Sequence, residues 1–137
     1  MDNFTNHNLF HLLHQKSRSI KKQLNTELNK HNLYTTQWTI LFCLYKFGPM
    51  TQTDIWTYLN VEAPTITRTL EKMEKNNWII RQQGVDKRER IIEWTEQAKD
   101  TFSVAMKEVA ELEETLLATF TDTEKTQLYH LLHKIKS

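Results

Sequence analysis

The part of the chain that most restricts its fold is a helix with a narrow apolar face at residues 64–77. Ile66, Leu70 and Met73 recur at helical spacing, and the positions between them are mostly polar or charged. A helix of this kind can pack against a core through one edge only. We therefore expect the rest of its surface to face water or a polar partner.

Two short segments with β-branched and aromatic side chains follow this helix, at residues 78–81 and 91–94. A charged loop that contains Gly84 lies between them and predicts a turn, so the two segments should form a hairpin. A polar-faced helix followed by a hairpin with a charged loop is the order in which a winged helix binds DNA. The sequence thus predicts a winged helix here.

Composition indicates one mainly helical domain. A chain of 137 residues with 39% hydrophobic residues suits a single modest core, and only two Gly and two Pro interrupt it. So few breakers favour helix and leave no room for a Gly-rich phosphate-binding loop. The predicted fold class is mainly α with a small β-hairpin wing: a winged helix-turn-helix plus terminal dimerisation helices.

Periodicity and capping residues place the other helices. Their expected positions are residues 9–29, residues 37–47, a short helix after Thr51, residues of about 95–119, and a last helix after Thr121. The helix at 37–47 should begin after Thr35 or Thr36 as its cap. It is apolar on nearly every side, so we expect it to be covered all round.

The terminal helices suggest how the single domain 1–137 is divided. We expect residues of about 36–94 to form the winged-helix lobe that binds DNA. Residues of about 5–32 and 95–137 carry apolar stripes that have no core left to cover within so short a chain. We therefore expect them to be dimerisation helices that pair with a second copy of the chain.

Charge is unevenly distributed along the chain, although the net charge is only +1. Residues 64–90 hold seven basic and four acidic side chains, whereas residues 95–124 hold two basic and eight acidic ones. A polyanion is therefore attracted to the helix and loop and repelled by the segment that follows them.

Residue types and spacing argue against a membrane protein and against an enzyme. No apolar run approaches the roughly 20 residues that span a bilayer, and the N-terminus lacks a signal peptide's apolar stretch, so we expect a cytoplasmic protein without a membrane partner. The single cysteine, Cys43, excludes an internal disulfide and a cysteine-based zinc finger. No serine or cysteine has an adjacent base, and no paired carboxylates lie in an apolar region, so we expect neither an enzyme nor a cofactor.

Three motifs follow one another from the polar-faced helix to the end of the hairpin. The first is TITRTLEKMEKNNWIIR at residues 65–81, the second is the pair Asp86 and Arg88, and the third is WTE at residues 94–96. Together with the order of the helices, these motifs resemble the MarR family of bacterial winged-helix transcription regulators. The resemblance covers almost the whole chain.

The resemblance implies a sequence-specific regulator of transcription that binds double-stranded DNA as a homodimer. In proteins that look like this, each recognition helix enters a major groove of a pseudo-palindromic operator and each wing reaches a minor groove. Ligands, oxidants or metals usually weaken that binding. We therefore expect a repressor that a small effector releases from DNA, with a metal- or redox-responsive regulator of the same fold as the alternative.

The chain departs from the family pattern at three positions. Asn77 and Ala98 stand where glycine is usual, and Glu62 stands where a Ser or Thr cap is common. Asn77 tolerates the left-handed conformation, so the turn after the helix should survive. The carboxylate of Glu62 can cap the helix, but it also repels phosphate.

The residues expected to bind DNA lie on the recognition helix and in the wing. They are Ala63, Pro64, Thr65, Thr67, Arg68, Lys72, Arg81, Lys87, Arg88 and Arg90. Arg68 suits either a two-pronged contact with guanine or a phosphate contact. Arg81, at a strand end, suits either a contact with the DNA backbone or a bond within the wing.

Within the wing, Arg88 is the expected minor-groove residue, because a narrow A·T-rich groove concentrates negative potential. Asp86 should brace its guanidinium in a forked pair and shape the turn. Lys87 and Arg90 suit phosphate contacts or plain solvated charge.

Other side chains leave alternatives open. Cys43 lies in an apolar run, where packing is favoured over redox activity. The histidines of the first and last helices lie on one face of each helix, so a zinc site or a proton switch could arise where the helices meet, although we assign no metal. They are His7, His11, His14, His130 and His133.

Aromatic residues raise two further hypotheses. Five of them could line a pocket for a small aromatic effector, although core packing also explains them; they are Trp38, Phe42, Tyr45, Phe102 and Phe120. A function of a different class is a winged helix that docks another protein, with Trp56 and Tyr58 as exposed anchors.

Overall fold

The computed structural model describes residues 4–86 and 88–137. Its helices are α1 (Asn6–Leu28), α2 (Thr35–Phe47), α3 (Gln52–Leu59), α4 (Ala63–Lys75), α5 (Glu96–Leu116) and α6 (Asp122–His133), with a 3₁₀ turn at Asn29–His31. Its strands are β1 (Met50–Thr51), β2 (Ile79–Gln83) and β3 (Arg90–Trp94). The prediction of a mainly α fold with a β-hairpin wing is confirmed.

The wing belongs to a small antiparallel sheet with the strand order β1-β3-β2. Strands β2 and β3 form the predicted hairpin, with Ile79 opposite Trp94 and Gln83 opposite Arg90. Strand β1 was not predicted; it places Met50 opposite Ile92 and joins the segment before α3 to the wing. This pairing holds α3 and the wing in one unit.

The core lies where α2, α4, α5 and the sheet meet. It includes Ile40 and Leu41 of α2, Leu70 and Met73 of α4, and Ile92 of β3, which are fully buried. Burial of this many apolar side chains is the main term that stabilises the fold. The three apolar positions predicted for the recognition helix therefore face inward as expected.

Helix α2 is covered less completely than its sequence predicts. Trp38 and Leu44 are buried, whereas Phe42, Tyr45 and Phe47 are exposed on the surface of the single chain. The prediction that α2 is covered all round is wrong for one copy of the chain. Its outward aromatic residues are available to a ligand or to a second copy.

Side-chain caps mark most helix starts as predicted. The hydroxyl oxygens of Thr51, Thr95 and Thr121 accept hydrogen bonds from the backbone amides of Asp54, Ala98 and Glu124, at 3.0–3.1 Å. These hydroxyls satisfy amides that have no partner inside the helix. Glu62 precedes α4 but makes no capping hydrogen bond with its side chain.

The predicted cap of α2 is wrong, because the helix begins at Thr35 and its cap residue is Tyr34. The Gln37 side chain accepts a hydrogen bond from the Tyr34 amide at 3.0 Å. Asn25 of α1 accepts hydrogen bonds from the amide and from the hydroxyl of Thr35, at 2.7 and 2.6 Å. A side chain distant in sequence thus satisfies the first turn, which local sequence patterns do not reveal.

Two segments extend from the core with little cover. In α1, which the structure describes in full, Leu28 is the one buried residue, and α6, likewise described, has none. Their exposed apolar side chains include Phe10, Leu12, Ile20, Leu131 and Leu132. Among the described residues, no helix is long and apolar enough to cross a membrane.

Candidate nucleic-acid interface

Helix α4 is held by its buried edge and presents charged side chains on the opposite side. Ile66, Leu70 and Met73 are buried, whereas Arg68 and Lys72 are exposed. At the start of α4, Pro64 is exposed, whereas Ala63 and Thr65 are half-buried. Proline fits this first turn because its missing amide hydrogen is not needed there. The cations expected to bind DNA on this helix are thus free of the core.

Thr67 serves within the protein. Its hydroxyl donates a hydrogen bond to the Ala63 carbonyl oxygen at 3.0 Å and accepts one from the Gln52 side-chain amide at 2.8 Å. Gln52 is the first residue of α3, so this contact joins the two helices of the helix-turn-helix. Gln52 was not identified from the sequence, in which its only local signal is its place directly after the capping residue Thr51.

The wing tip is a tight, hydrogen-bonded turn. The Gly84 amide donates to the Glu89 carbonyl oxygen at 3.1 Å, and the Glu89 amide donates to the Asp86 carbonyl oxygen at 2.9 Å. A Cβ atom on Gly84 would lie 2.8 Å from the Glu89 side chain, so glycine is needed here. Arg88 and Arg90 are exposed on either side of Glu89, and Lys87 lies outside the described residues.

Asp86 shapes the turn through the backbone. Its Oδ1 accepts a hydrogen bond from the Arg88 amide at 3.0 Å. The expected forked pair with the Arg88 guanidinium is not among the ion pairs of the described residues. An Asp side chain readily accepts a hydrogen bond from the amide two residues on, and this is how Asp86 stabilises the turn.

Arg81 of β2 is turned inward. Its side chain is 18% exposed, and its Nε lies 3.8 Å from Glu74 Oε2 near the end of α4. Its Nε and Nη2 atoms are buried and have no hydrogen-bond partner in the described part of the chain. Of the two roles that the sequence left open, this geometry favours a bond within the protein.

A polar cleft separates the start of α3 from the wing. It has a volume of about 580 Å³; its lining includes Thr51, Gln52 and Asp54 on one side and Arg88, Glu89 and Arg90 on the other. The two wing arginines therefore face a space that is continuous with the helix-turn-helix. Asp54 and Glu89 balance the two arginines within the cleft, so the attraction for a polyanion comes from the exposed arginine side chains themselves.

Cys43 and the histidines lie away from this interface. Cys43 is buried in α2, and burial raises the pKa of its thiol, so it is poorly suited to redox chemistry. The histidines of α1 and α6 are exposed, and His133 contacts the Tyr129 ring at 4.7 Å. Among residues 4–86 and 88–137, no three His, Cys, Asp or Glu side chains are grouped so that they could hold a metal ion.

An aromatic groove opens between α2, the end of β3 and α5. Tyr45 lies 5.1 Å from Phe102 and 6.2 Å from Trp94, between ring centroids, and the groove has a volume of about 470 Å³. Lys99 and Lys107 lie beside it.

The aromatic set predicted for a pocket is therefore only partly assembled. Of that set, Tyr45 and Phe102 line the groove, Trp38 stacks on Phe102 at 4.6 Å from within the core, and Phe42 contacts Tyr45 at 6.1 Å. Phe120 does not line the groove. Trp94, which the sequence assigned only to the hairpin, completes it.

The predicted protein-docking pair is only half exposed. Tyr58 is exposed and meets Phe47 edge to face at 5.0 Å. Trp56 is partly buried and packs against the core, so it is not the exposed anchor that its helical position predicted.

Comparisons with known proteins agree with this geometry. The sequence model of the MarR family matches residues 33–89. An uncharacterized HTH-type transcriptional regulator of Bacillus subtilis strain 168, YwoH, is 44% identical over 128 residues, which cover 93% of each chain.

Two solved structures share the fold over most of the chain. The organohalide-sensing RdhR-CbdbA1625 transcriptional regulator, in its 2,4-dichlorophenol-bound form, is 28% identical with a TM-score of 0.84 over 93% of this chain and 77% of that one. The Staphylococcus aureus MepR-DNA complex is 25% identical with a TM-score of 0.82 over 96% of each chain.

Proposed function

The chain belongs to the MarR family of transcriptional regulators, which are DNA-binding proteins and not enzymes, and from this premise we propose that it is a homodimeric repressor released from its operator by a small effector. The recognition helix α4 carries the proposal. It is fixed by a buried edge, exposes Arg68 and Lys72, and is followed by a wing that exposes Arg88 and Arg90. Operator DNA is its partner, and the cytoplasm is its proposed location.

The proposed DNA contacts divide by groove. Pro64, Ala63 and Thr65 bring the start of α4 close to the bases, Arg68 binds guanine or phosphate in the major groove, and Arg88 enters the minor groove. Lys72, Lys87 and Arg90 bind phosphates. Thr67 holds α4 against α3 through Gln52.

Homodimerisation is proposed for α1, α5 and α6, with residues of about 36–94 as the DNA-binding lobe. Phe10, Leu12, Leu131 and Leu132 are exposed on segments that pack little against their own chain. Exposed apolar area of this kind marks an interaction surface. A second copy would cover it by a symmetric contact.

Effector release is proposed to act through the aromatic groove. Tyr45, Trp94 and Phe102 supply ring faces for a small aromatic molecule, and Lys99 and Lys107 suit a negatively charged group on it. The groove lies between α2 and α5, so an occupant can change the angle between the DNA-binding lobe and the long helix.

The test is selection of bound duplexes from a random pool, followed by titration of the selected duplex at several salt concentrations. We expect two half-sites about one helical turn apart, roughly 10 base pairs centre to centre. Affinity should fall steeply with salt, and Arg68→Ala combined with Arg88→Ala should abolish binding, whereas the exposed control Lys136→Ala should bind as wild type. A flat salt response would contradict DNA binding as its function.

The dimer has its own measurement. Leu12→Glu combined with Leu131→Glu should give monomers in analytical ultracentrifugation, while Tyr58→Glu on α3 should leave the dimer intact. A wild-type monomer at micromolar concentration that still binds its selected duplex fully would disprove the dimeric mechanism.

A further inference from the structure

Arg81 holds an unusual place for a cation in a wing strand. Most of its side chain is buried, and its Nε and Nη2 atoms have neither solvent nor a hydrogen-bond partner in the described residues. A buried charge without partners is costly, so a guanidinium in this position requires a nearby anion. Within the described ranges, the carboxylate paired with it belongs to Glu74, at 3.8 Å.

The two residues lie on opposite sides of a chain reversal. Glu74 belongs to the last turns of α4, and Arg81 lies in β2, where it is opposite Ile92 of β3. Between them the chain turns at Asn77, which has a left-handed φ of 64°. An attraction between Glu74 and Arg81 therefore acts directly between the recognition helix and the stem of the wing.

We propose that Arg81 is a positioning residue, which acts through Glu74 to fix the angle between the recognition helix and the wing and makes no contact with DNA phosphate. This inference rests on the proposed DNA-binding function. The angle decides whether α4 and the wing reach their grooves at the same time. Loss of the pair therefore weakens operator binding even though neither side chain touches DNA.

The effect of Glu74 distinguishes this role from simple electrostatics. Removal of a negative charge from a DNA-binding helix should raise affinity, because phosphate repulsion is relieved. If Glu74 positions the wing, Glu74→Gln should instead lower affinity, by about tenfold, since it leaves the buried Nε and Nη2 atoms of Arg81 without their neighbouring carboxylate. Glu71→Gln is the matched control, because Glu71 is exposed on the same helix and has no ion pair in the described residues.

The salt dependence distinguishes a positioning residue from a phosphate contact. Loss of one phosphate contact reduces the slope of log K against log salt by about 0.9. We expect Arg81→Gln to lower affinity by about tenfold with an unchanged slope, whereas Arg68→Ala should reduce the slope if it binds phosphate. The Glu74→Gln/Arg81→Gln double variant should lose no more affinity than either of its two single variants, because both substitutions remove the same ion pair.

The experiment titrates the wild type, Glu71→Gln, Glu74→Gln, Arg81→Gln and the Glu74→Gln/Arg81→Gln double variant with the selected duplex at four salt concentrations. Circular dichroism checks that each variant is folded at the assay temperature. A reduced slope for Arg81→Gln, or an affinity gain for Glu74→Gln equal to that of Glu71→Gln, would overturn the proposal. If Arg81→Gln does not fold, the Glu74→Gln variant alone tests the proposal: a loss of affinity supports it and a gain refutes it. Failure of the wild type to bind any duplex would instead refute the proposed function.

Discussion

Thr95 and Asn77 are joined by a 2.7 Å hydrogen bond, in which the threonine hydroxyl donates to the asparagine carbonyl oxygen. The same hydroxyl accepts a hydrogen bond from the Ala98 amide at the start of α5, and the Thr95 amide donates to the Trp78 carbonyl oxygen at 3.1 Å. One threonine thus joins the end of the recognition-helix turn to the start of the long helix that follows the wing.

Thr95→Val should lower the free energy of unfolding by about 1–2 kcal/mol, because valine keeps the shape but loses the hydroxyl's hydrogen bonds with Asn77, Trp78 and Ala98. Urea titration followed by tryptophan fluorescence measures this. Thr115→Val is the control, since Thr115 lies on the same helix and bonds only to the Glu111 carbonyl oxygen. Equal losses for both variants would show that the contact with Asn77 has no special role.

The left-handed backbone at position 77 should make the protein more stable with glycine there than with alanine. Its φ of 64° is left-handed, so Asn77→Ala should lower the free energy of unfolding by about 1 kcal/mol, whereas Asn77→Gly should keep or raise it. Thermal melting compares the two variants. Asn76→Ala is the control, because Asn76 has a φ of −92° and is unstrained. A Gly variant less stable than the Ala variant would contradict this account.

Asp86 should matter as a hydrogen-bond acceptor and not as a charge. Asp86→Ala removes the acceptor for the Arg88 amide and should loosen the wing, lowering operator affinity about threefold without a change in salt slope. Asp86→Asn keeps an acceptor at the same place and removes the charge, so it should bind at least as tightly as wild type. Equal losses in the two variants would show that the carboxylate acts through its charge.

The Cys43 thiol should react slowly with thiol reagents in the folded protein. Its ionisation should also lower the free energy of unfolding at high pH. Burial raises the pKa of its thiol in the folded state, so above the ordinary value of about 8.5 the unfolded chain loses this proton first. The unfolded state then binds fewer protons, and the free energy of unfolding decreases as pH rises.

Two measurements check this prediction. A thiol reagent should label Cys43 rapidly in urea and slowly in buffer. Cys43→Ala should be less stable at neutral pH by about 1 kcal/mol, because of the smaller side chain, but should lose less stability than wild type above pH 8.5. Parallel curves for the two proteins across that range would contradict the raised pKa.

The sequence predicted elements whose signals are local. The apolar spacing of Ile66, Leu70 and Met73 identified α4, and the threonines at 51, 95 and 121 identified helix starts. A periodic face and a capping hydroxyl act within one or two turns of chain. Such features can be recognised without knowledge of the tertiary structure.

Features that depend on distant residues were missed. Strand β1 is two residues long and exists because Ile91 and Ile92 pair with it across the sheet. Likewise, Asn25 satisfies the start of α2, and Gln52 reaches Thr67 across the helix-turn-helix. The inward turn of Arg81 follows from the place of Glu74 after folding, so its sequence position alone left two roles open.

The short strand β1 bears on how the proposed effector release could work. Strand β1 leads directly into α3, and its Met50 pairs with Ile92 of the wing. Within one subunit, α3 and the wing therefore cannot separate without breaking the sheet. For the proposed effector response, we therefore expect a ligand to keep α3 and the wing together in each subunit and to alter the distance between the two DNA-binding lobes of the proposed dimer. Regulation would then depend on the stiffness of the long helices, and substitutions along α5 could change the response to ligand while affinity for a single half-site stays the same.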